Sequence, residues 1–234
     1  MKKELQGKQQ KDYLKTNNNF STEEEANGEL GTAVAVSTDN LYLATSSPGV
    51  NKIFVYLRST TGESFRLRND ITLDIGNTDA SDRFGQALAI TANGNRLFAS
   101  SHATSDIVKL TLSATDREFV RGTIITGADT GAQGKILDVD WDNDIIWVKV
   151  TTSVNFGNEP LDIGDSSSVL TITAVTGSDA VSQGAVHWIN RDARLSFGIN
   201  QTIVSPNVDQ GGQFGFAVSV SGDGTYLAVG SPGS

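Results

Sequence analysis

The sequence predicts an all-β fold, and three observations predict it. Gly, present 24 times among 234 residues, joins Ser, Thr, Asn and Asp in short clusters along the chain, as suits many short strands linked by tight turns. No long run of apolar residues follows a helical period. Most tellingly, one 21-residue pattern occurs three times without a gap: ELGTAVAVSTDNLYLATSSPG from Glu29, RFGQALAITANGNRLFASSHA from Arg83 and QFGFAVSVSGDGTYLAVGSPG from Gln213.

Each copy reads as strand, two-residue turn, strand. Leu30, Phe84 and Phe214 are equivalent, as are Gly31, Gly85 and Gly215. The turn pairs are Asp39-Asn40, Asn93-Gly94 and Asp223-Gly224, residue types that tolerate the positive φ of tight hairpins. Small residues beside the repeated Gly allow neighbouring sheets to approach closely. In copy one a third strand follows in NKIFVYLRS and a fourth in SFRLRNDITLDI. A four-stranded unit cannot bury both faces alone and stacks on its neighbours. With Leu30 and Phe84 54 residues apart, that unit has the size of a propeller blade.

Phe84 and Phe214 are 130 residues apart, so something is inserted. The pattern resumes at GAVHWINRD, where Val186 to Ile189 match the third strand of copy one. The excess, about 104–182, is too long for a bare loop and is expected to fold by itself. Within it FVRGTIITG (from Phe119) recurs as FGNEPLDIG (from Phe156), around a hairpin turning at Asp142-Asn143, the grammar of a small β-barrel. The expected fold is therefore a partial β-propeller of four-stranded antiparallel blades with an inserted small β-barrel domain. Its divisions are an anchoring arm (1–20), blade one and the start of blade two (21–103), the barrel (104–182), and the rest of blade two with an incomplete third blade (183–234). Blade three has two strands, so the polypeptide is expected to continue past Ser234 or another chain to complete the sheet.

The repeats resemble FG-GAP repeats, the blades of integrin-α-type β-propellers. The likeness rests on Phe84-Gly85, Phe214-Gly215 and the ending Gly230-Ser231-Pro232. Copy one departs with Leu30-Gly31, and copy two carries Ser100 and His102 in the ending. Many such blades hold calcium in an Asp-rich first loop. Here the loops STDN, TANGN and SGDGT offer at most one carboxylate each, so the resemblance imports no calcium. The inserted FVRGTIITGADTGAQGKI resembles short Gly-rich modules of virion structural proteins from large tailed phages.

The net charge of −9 and pI near 4.6 repel a phosphate backbone and argue against nucleic acid. No window has membrane-spanning length. Cysteine is absent, which removes disulfides and thiol chemistry. The lysine-rich start, MKKELQGKQQKDYLK, lacks the apolar core of a secretory signal.

Candidate chemistry is sparse. Asp138, Asp140, Asp142 and Asp144 alternate around a turn and could offer oxygens to Ca²⁺, although a solvated hairpin face explains them equally. Inter-blade loops NTDASD and NVDQGG read as turns. Trp141 and Trp147 are expected on one face, as barrel core or as a sugar-stacking surface. The two histidines, His102 and His187, fall on repeat positions and read as blade residues. No nucleophile, base and orienting group share a motif.

The expectation is a non-enzymatic virion structural protein of a tailed phage, in a tail, fibre or surface-attached assembly. It would have no cofactor and would touch other virion proteins, copies of itself, and a host-surface glycan or protein, without nucleic acid or membrane insertion. Virion proteins assemble in the host cytoplasm and need no export signal. The alternative is an extracellular, cell-surface adhesin or carbohydrate-binding propeller, and the third class is a hydrolase at a propeller mouth.

Overall fold

The computed structural model describes residues 28–73, 80–113, 119–162, 170–177 and 181–234. The expected arm 1–20 and the opening of the Asn77–Asp82 loop lie outside them. The described chain is all-β: three antiparallel sheets and a closed barrel.

The first sheet contains β1 (Val34–Val36), β2 (Tyr42–Ser47), β3 (Lys52–Leu57) and β4 (Arg66–Thr72), paired in chain order. The second begins with β5 (Leu88–Ile90) and β6 (Arg96–Ser101). The chain then leaves to build the barrel from β7 (Ile107–Leu112), β8 (Ile124–Gly127), β9 (Gln133–Asp140), β10 (Ile145–Val150), β11 (Pro160–Asp162) and β12 (Leu170–Thr176). It returns with β13 (Ala185–Arg191) and β14 (Phe197–Val204), giving a sheet in the order β14-β13-β6-β5. The third sheet pairs β15 (Ala217–Val220) with β16 (Leu227–Gly230). His187 lies opposite Ala99 as Phe54 lies opposite Thr45, so β13 takes the place in sheet two that β3 takes in sheet one.

The three hairpins share one turn chemistry. It is a four-residue loop rather than the expected two-residue one: the N–H of Ser37 donates to Tyr42 O and that of Asn40 to Ser37 O. The Ser37 hydroxyl donates to Asp39 Oδ1 at 2.5 Å, and Asp39 Oδ1 accepts from the Leu41 amide at 3.0 Å. Thr91 with Asn93, and Ser221 with Asp223, repeat the arrangement. The side-chain bonds use donors that a longer loop leaves unpaired, which is why the turn lengthens. Asn40, Gly94 and Gly224 take the positive φ, at 57°, 64° and 76°. Successive turns also lock together: the Asp39 amide donates to Ala92 O (3.1 Å) and the Ala92 amide to Gly222 O (2.9 Å).

The sheets stack through their first strands, β5 lying against β1 and β2, and β15 against β5 and β6. The repeated Gly makes this possible. Gly85 and Gly215 both adopt φ near +94°, and a Cβ on them would lie 2.5 Å from Ser46 Cβ and 2.8 Å from Ser100 Cβ. Each presses on the sheet before it, an approach that only Gly permits. Between sheets one and two lies an apolar cluster including Tyr42, Ile53, Val55, Phe84, Leu97 and Ile189.

The barrel has its own core: Val108, Leu110, Ile125, Ile136, Ile146, Val148 and Ile172. Phe119 and Phe156, the starts of the recurring segments, both enter it, and the strands that follow them, β8 and β11, pair with each other. Its outer surface meets the sheets through Ile107, Leu137 and Trp147. A register shift opposite Trp147 and Val148 leaves Leu137 as an extra residue in β9. Ile136 and Val139, three apart, therefore both pack with the barrel core, while Leu137 packs in the seam.

Candidate functional site

The four hairpin aspartates of the barrel do not converge. Asp138 accepts from the Arg121 guanidinium, with Oδ1 2.7 Å from Nε and 2.6 Å from an Nη. Asp140 organises the turn instead, Oδ1 accepting from the amides of Asp142 (3.1 Å) and Asn143 (3.2 Å) and Oδ2 from the Asn143 side chain (2.8 Å). Asp142 thus serves the turn through its backbone, and Asp144 closes it at φ 55°. Among the described residues no group of three His, Cys, Asp or Glu side chains is arranged to hold a metal ion.

The tryptophans do not share a face. Trp141 lies in the turn, exposed, its ring stacked on Phe119 with centroids 5.9 Å apart and planes 16° from parallel. Trp147 lies in β10, buried in the seam between barrel and sheets, with the Lys109 ammonium 5.9 Å from its ring centre. Counting odd positions fails because Trp141 lies in the turn and not in β10, and the alternation of strand faces holds only within one uninterrupted strand.

The repeat residues occupy equivalent places with unequal cover. Phe84 is fully buried, its ring edge-on to His187 at 5.2 Å, and its amide donates to Asn51 Oδ1 at 2.8 Å. Leu30 is exposed and Phe214 half-buried. Glu29 and Arg83, which open copies one and two, form a two-pronged ion pair across the sheets at 2.9 and 2.7 Å. The bond from Arg83 holds the Glu29 carboxyl below the usual carboxylate range.

His187 sits at 2.7 Å from Ser101 Oγ, which also accepts from the Thr104 hydroxyl at 2.8 Å, and at 3.1 Å from Thr202 Oγ1. This superficially resembles a base beside a nucleophile. Both side chains are fully buried, no carboxylate orients the ring among these partners, and burial holds the imidazole pKa down to about 3. Its hydrogen bonds satisfy a neutral ring within the stack. His102 lies half-buried beside Phe216, ring centres 5.8 Å apart; desolvation and then the Arg83 charge lower its pKa.

Two features escaped the sequence. Glu159, buried in the barrel, accepts from the amides of Gly157, Asp129 and Thr130 and from the Thr130 hydroxyl at 2.6–2.9 Å. Burial pushes its pKa up, but these four donors more than offset that and leave the carboxyl below its usual range. Its only sequence signal is a lone acid in the Gly-rich GNEP. The other is a cleft of about 500 Å³ where β4, β9 and β14 approach, lined by Asp70, Arg121, Lys135, Phe197, Asn200 and Gln201 among others. These residues come from β4, β9, β14 and the segment before β8, so no local pattern could announce it. Of its two cations, Arg121 is the one ion-paired to Asp138.

No protein-family model matches the chain, and no curated protein matches it in sequence. Among solved structures it is similar to a functionally unknown protein from Desulfotomaculum acetoxidans, at 10% identity and a TM-score of 0.22, covering 84% of this chain and 61% of that one. The chain thus spans about three fifths of that protein's length. It is also similar to a hydrazine synthase from Kuenenia stuttgartiensis, at 9% identity and a TM-score of 0.24, covering 91% of this chain and 77% of the other.

Proposed function

We propose that this protein is a non-enzymatic structural component of a tailed-phage particle, built as a partial β-propeller of FG-GAP-type blades that carries a barrel as its contact module. The observation that carries this reading is the closed barrel spliced between β6 and β13 of a repeating sheet. A stacked scaffold gives such a module a fixed position, and contact surfaces are commonly grafted on rigid frames. The polar groups support the same reading. Asp140, His187 and Glu159 are spent inside loops and sheets, so among the described residues these groups do not form a nucleophile and base at a surface. The net charge of −9 suits protein partners better than nucleic acid.

The test is occupancy of particles. Tailed particles purified by density gradient from cultures of the source are expected to contain the chain at a fixed copy number, with cross-links from residues 107–176 to another particle protein. Particles that lack the chain, with the protein recovered only from the cell surface, would overturn the assignment.

A second reading, an adhesive or carbohydrate-binding surface protein, is favoured by one observation, the exposed Trp141 ring stacked on Phe119. Aromatic faces of this kind bind sugars. Glycan-array binding abolished by Trp141→Ala would support it.

A further inference from the structure

The two contacts between consecutive sheets repeat the same partners, and the first and last of the described sheets each expose one half of that contact. The leading face of a sheet carries the residue before the repeated Gly and the apolar residues of its first strand. In sheet two these are Phe84, Leu88, Ile90 and Leu97, and sheet one covers them: Phe84 and Leu97 are 0% exposed and the other two half-buried. In sheet one the equivalents are Leu30 (46% exposed), Val34 (56%), Val36 (46%) and a half-buried Leu43. Gly31 holds the same backbone as Gly85, φ 94° in both, yet nothing lies within 4 Å of where its Cβ would be, whereas Gly85 is pressed on Ser46. Sheet one thus keeps the docking geometry of the repeat without a described sheet docked on it.

The trailing face is the other half. In sheet one Tyr42 (6% exposed), Ala44 and Ser46 receive sheet two. The equivalents in sheet three are Tyr226, 76% exposed, Ala228 and Gly230. Tyrosine and alanine recur in the same places, and glycine replaces serine, which leaves more room. Contacts between consecutive sheets run largely through the first two strands of each, of which β15 and β16 are the equivalents, and between sheets one and two β4 and β14 meet as well. Charge fits as well. Where Arg83 meets Glu29 between sheets one and two, Gln213 holds the equivalent place in copy three, so a second copy's Glu29 would meet an amide.

We infer that the trailing face of sheet three docks on the leading face of sheet one of a second copy of this chain, head to tail. The contact is heterologous: the two surfaces differ, so it propagates into chains of copies unless the rotation closes a ring. The inference rests on the stacking of the sheets and not on the virion assignment; a cell-surface protein with these faces would associate in the same way.

The experiment uses the full chain and two substitutions at exposed positions, Val34→Lys on the leading face and Tyr226→Lys on the trailing face. Sedimentation analysis of the unaltered protein is expected to show an average mass that rises with concentration beyond a dimer. Either variant alone keeps one good face with nothing to receive it and is expected to sediment as a 24.8 kDa monomer. An equimolar mixture is expected to give one heterodimer and nothing larger, because each variant supplies the face the other lacks. The inference is overturned if the unaltered chain stays monomeric up to about 100 μM, a generous limit for a specific contact. It is equally overturned if either variant alone still associates, or if the mixture stays monomeric while the unaltered chain assembles. Unchanged circular dichroism in both variants separates loss of docking from loss of fold.

Discussion

The barrel and the stacked sheets bury their apolar residues in opposite ways. The barrel closes its strand ladder, β10-β7-β12-β11-β8-β9, and encloses a core drawn wholly from 107–176. A sheet of the repeat cannot do this. Its core is borrowed, since the cluster around Phe84 takes residues from sheet one, sheet two and the outer wall of the barrel. The difference teaches that position in the repeat does not determine burial. Leu30 and Phe84 occupy the same place, and the presence of a preceding sheet decides which is core.

The largest test of that contrast is Phe84→Ala. Emptying a fully buried aromatic site costs about 3–5 kcal/mol, and the loss is expected as a lower urea midpoint, with amide protection falling in β2, β3, β6 and β13 while β8–β12 keep theirs. Leu30→Ala, at the equivalent position, is expected to change stability by less than about 0.5 kcal/mol. Comparable losses at the two sites would break the comparison. On the barrel side, Glu159→Ala strands the donors of Asp129, Thr130 and Gly157. Hydrogen bonds to a buried charge are worth about 1.5–3 kcal/mol, so a loss of that order is expected, with faster exchange confined to the barrel. The carboxyl also adds an acid limb. Its folded pKa lies below the ordinary value, so its stabilisation is present above the unfolded carboxylate pKa and is lost as pH falls through the folded one.

His187 sharpens the contrast through pH. The unfolded chain takes up a proton on this ring near 6.5, the folded chain only near 3. Its contribution is complete above 6.5 and is lost as pH falls toward 3, at about 1.4 kcal/mol per pH unit inside that window. His187→Phe places here the residue of the equivalent position, Phe54, and is expected to flatten that slope between pH 6.5 and 5. A slope unchanged in the variant would assign the acid sensitivity elsewhere. The substitution also removes partners from Ser101 and Thr202, so its cost at neutral pH is read separately from its slope.

Much of the stack was legible because its determinants are local and occur three times. A hydroxyl two residues before Asp or Asn, followed by Asn or Gly, forms the same turn in all copies, and GAVHWINRD marked where the sheet resumes after the barrel. What was illegible depends on distant partners. Trp147 faces the seam because the sheets pack on the outer side of β10. Glu159 matters because the Asp129–Thr130 turn, about thirty residues earlier, folds over it. The four hairpin aspartates looked like one group in sequence, but Arg121 engages Asp138 while Asp140 shapes the turn.

The most discriminating comparison holds backbone conformation constant. Gly31 and Gly85 share φ 94°, so replacing either with Ala imposes the same backbone strain, on the order of 1–2 kcal/mol for a side chain held at positive φ. Only at Gly85 does the new methyl also collide with a neighbouring sheet, at 2.5 Å from Ser46 Cβ, which adds about 1–3 kcal/mol of overpacking. Gly31→Ala is therefore expected to cost only the strain, and Gly85→Ala roughly twice as much. Measured by urea unfolding at concentrations where the chain is monomeric, the gap between the two isolates what the preceding sheet contributes. Raising the concentration then tests the contact between copies: if a second molecule covers Gly31, the gap narrows as the chain assembles, and a gap indifferent to concentration would mean that nothing docks there.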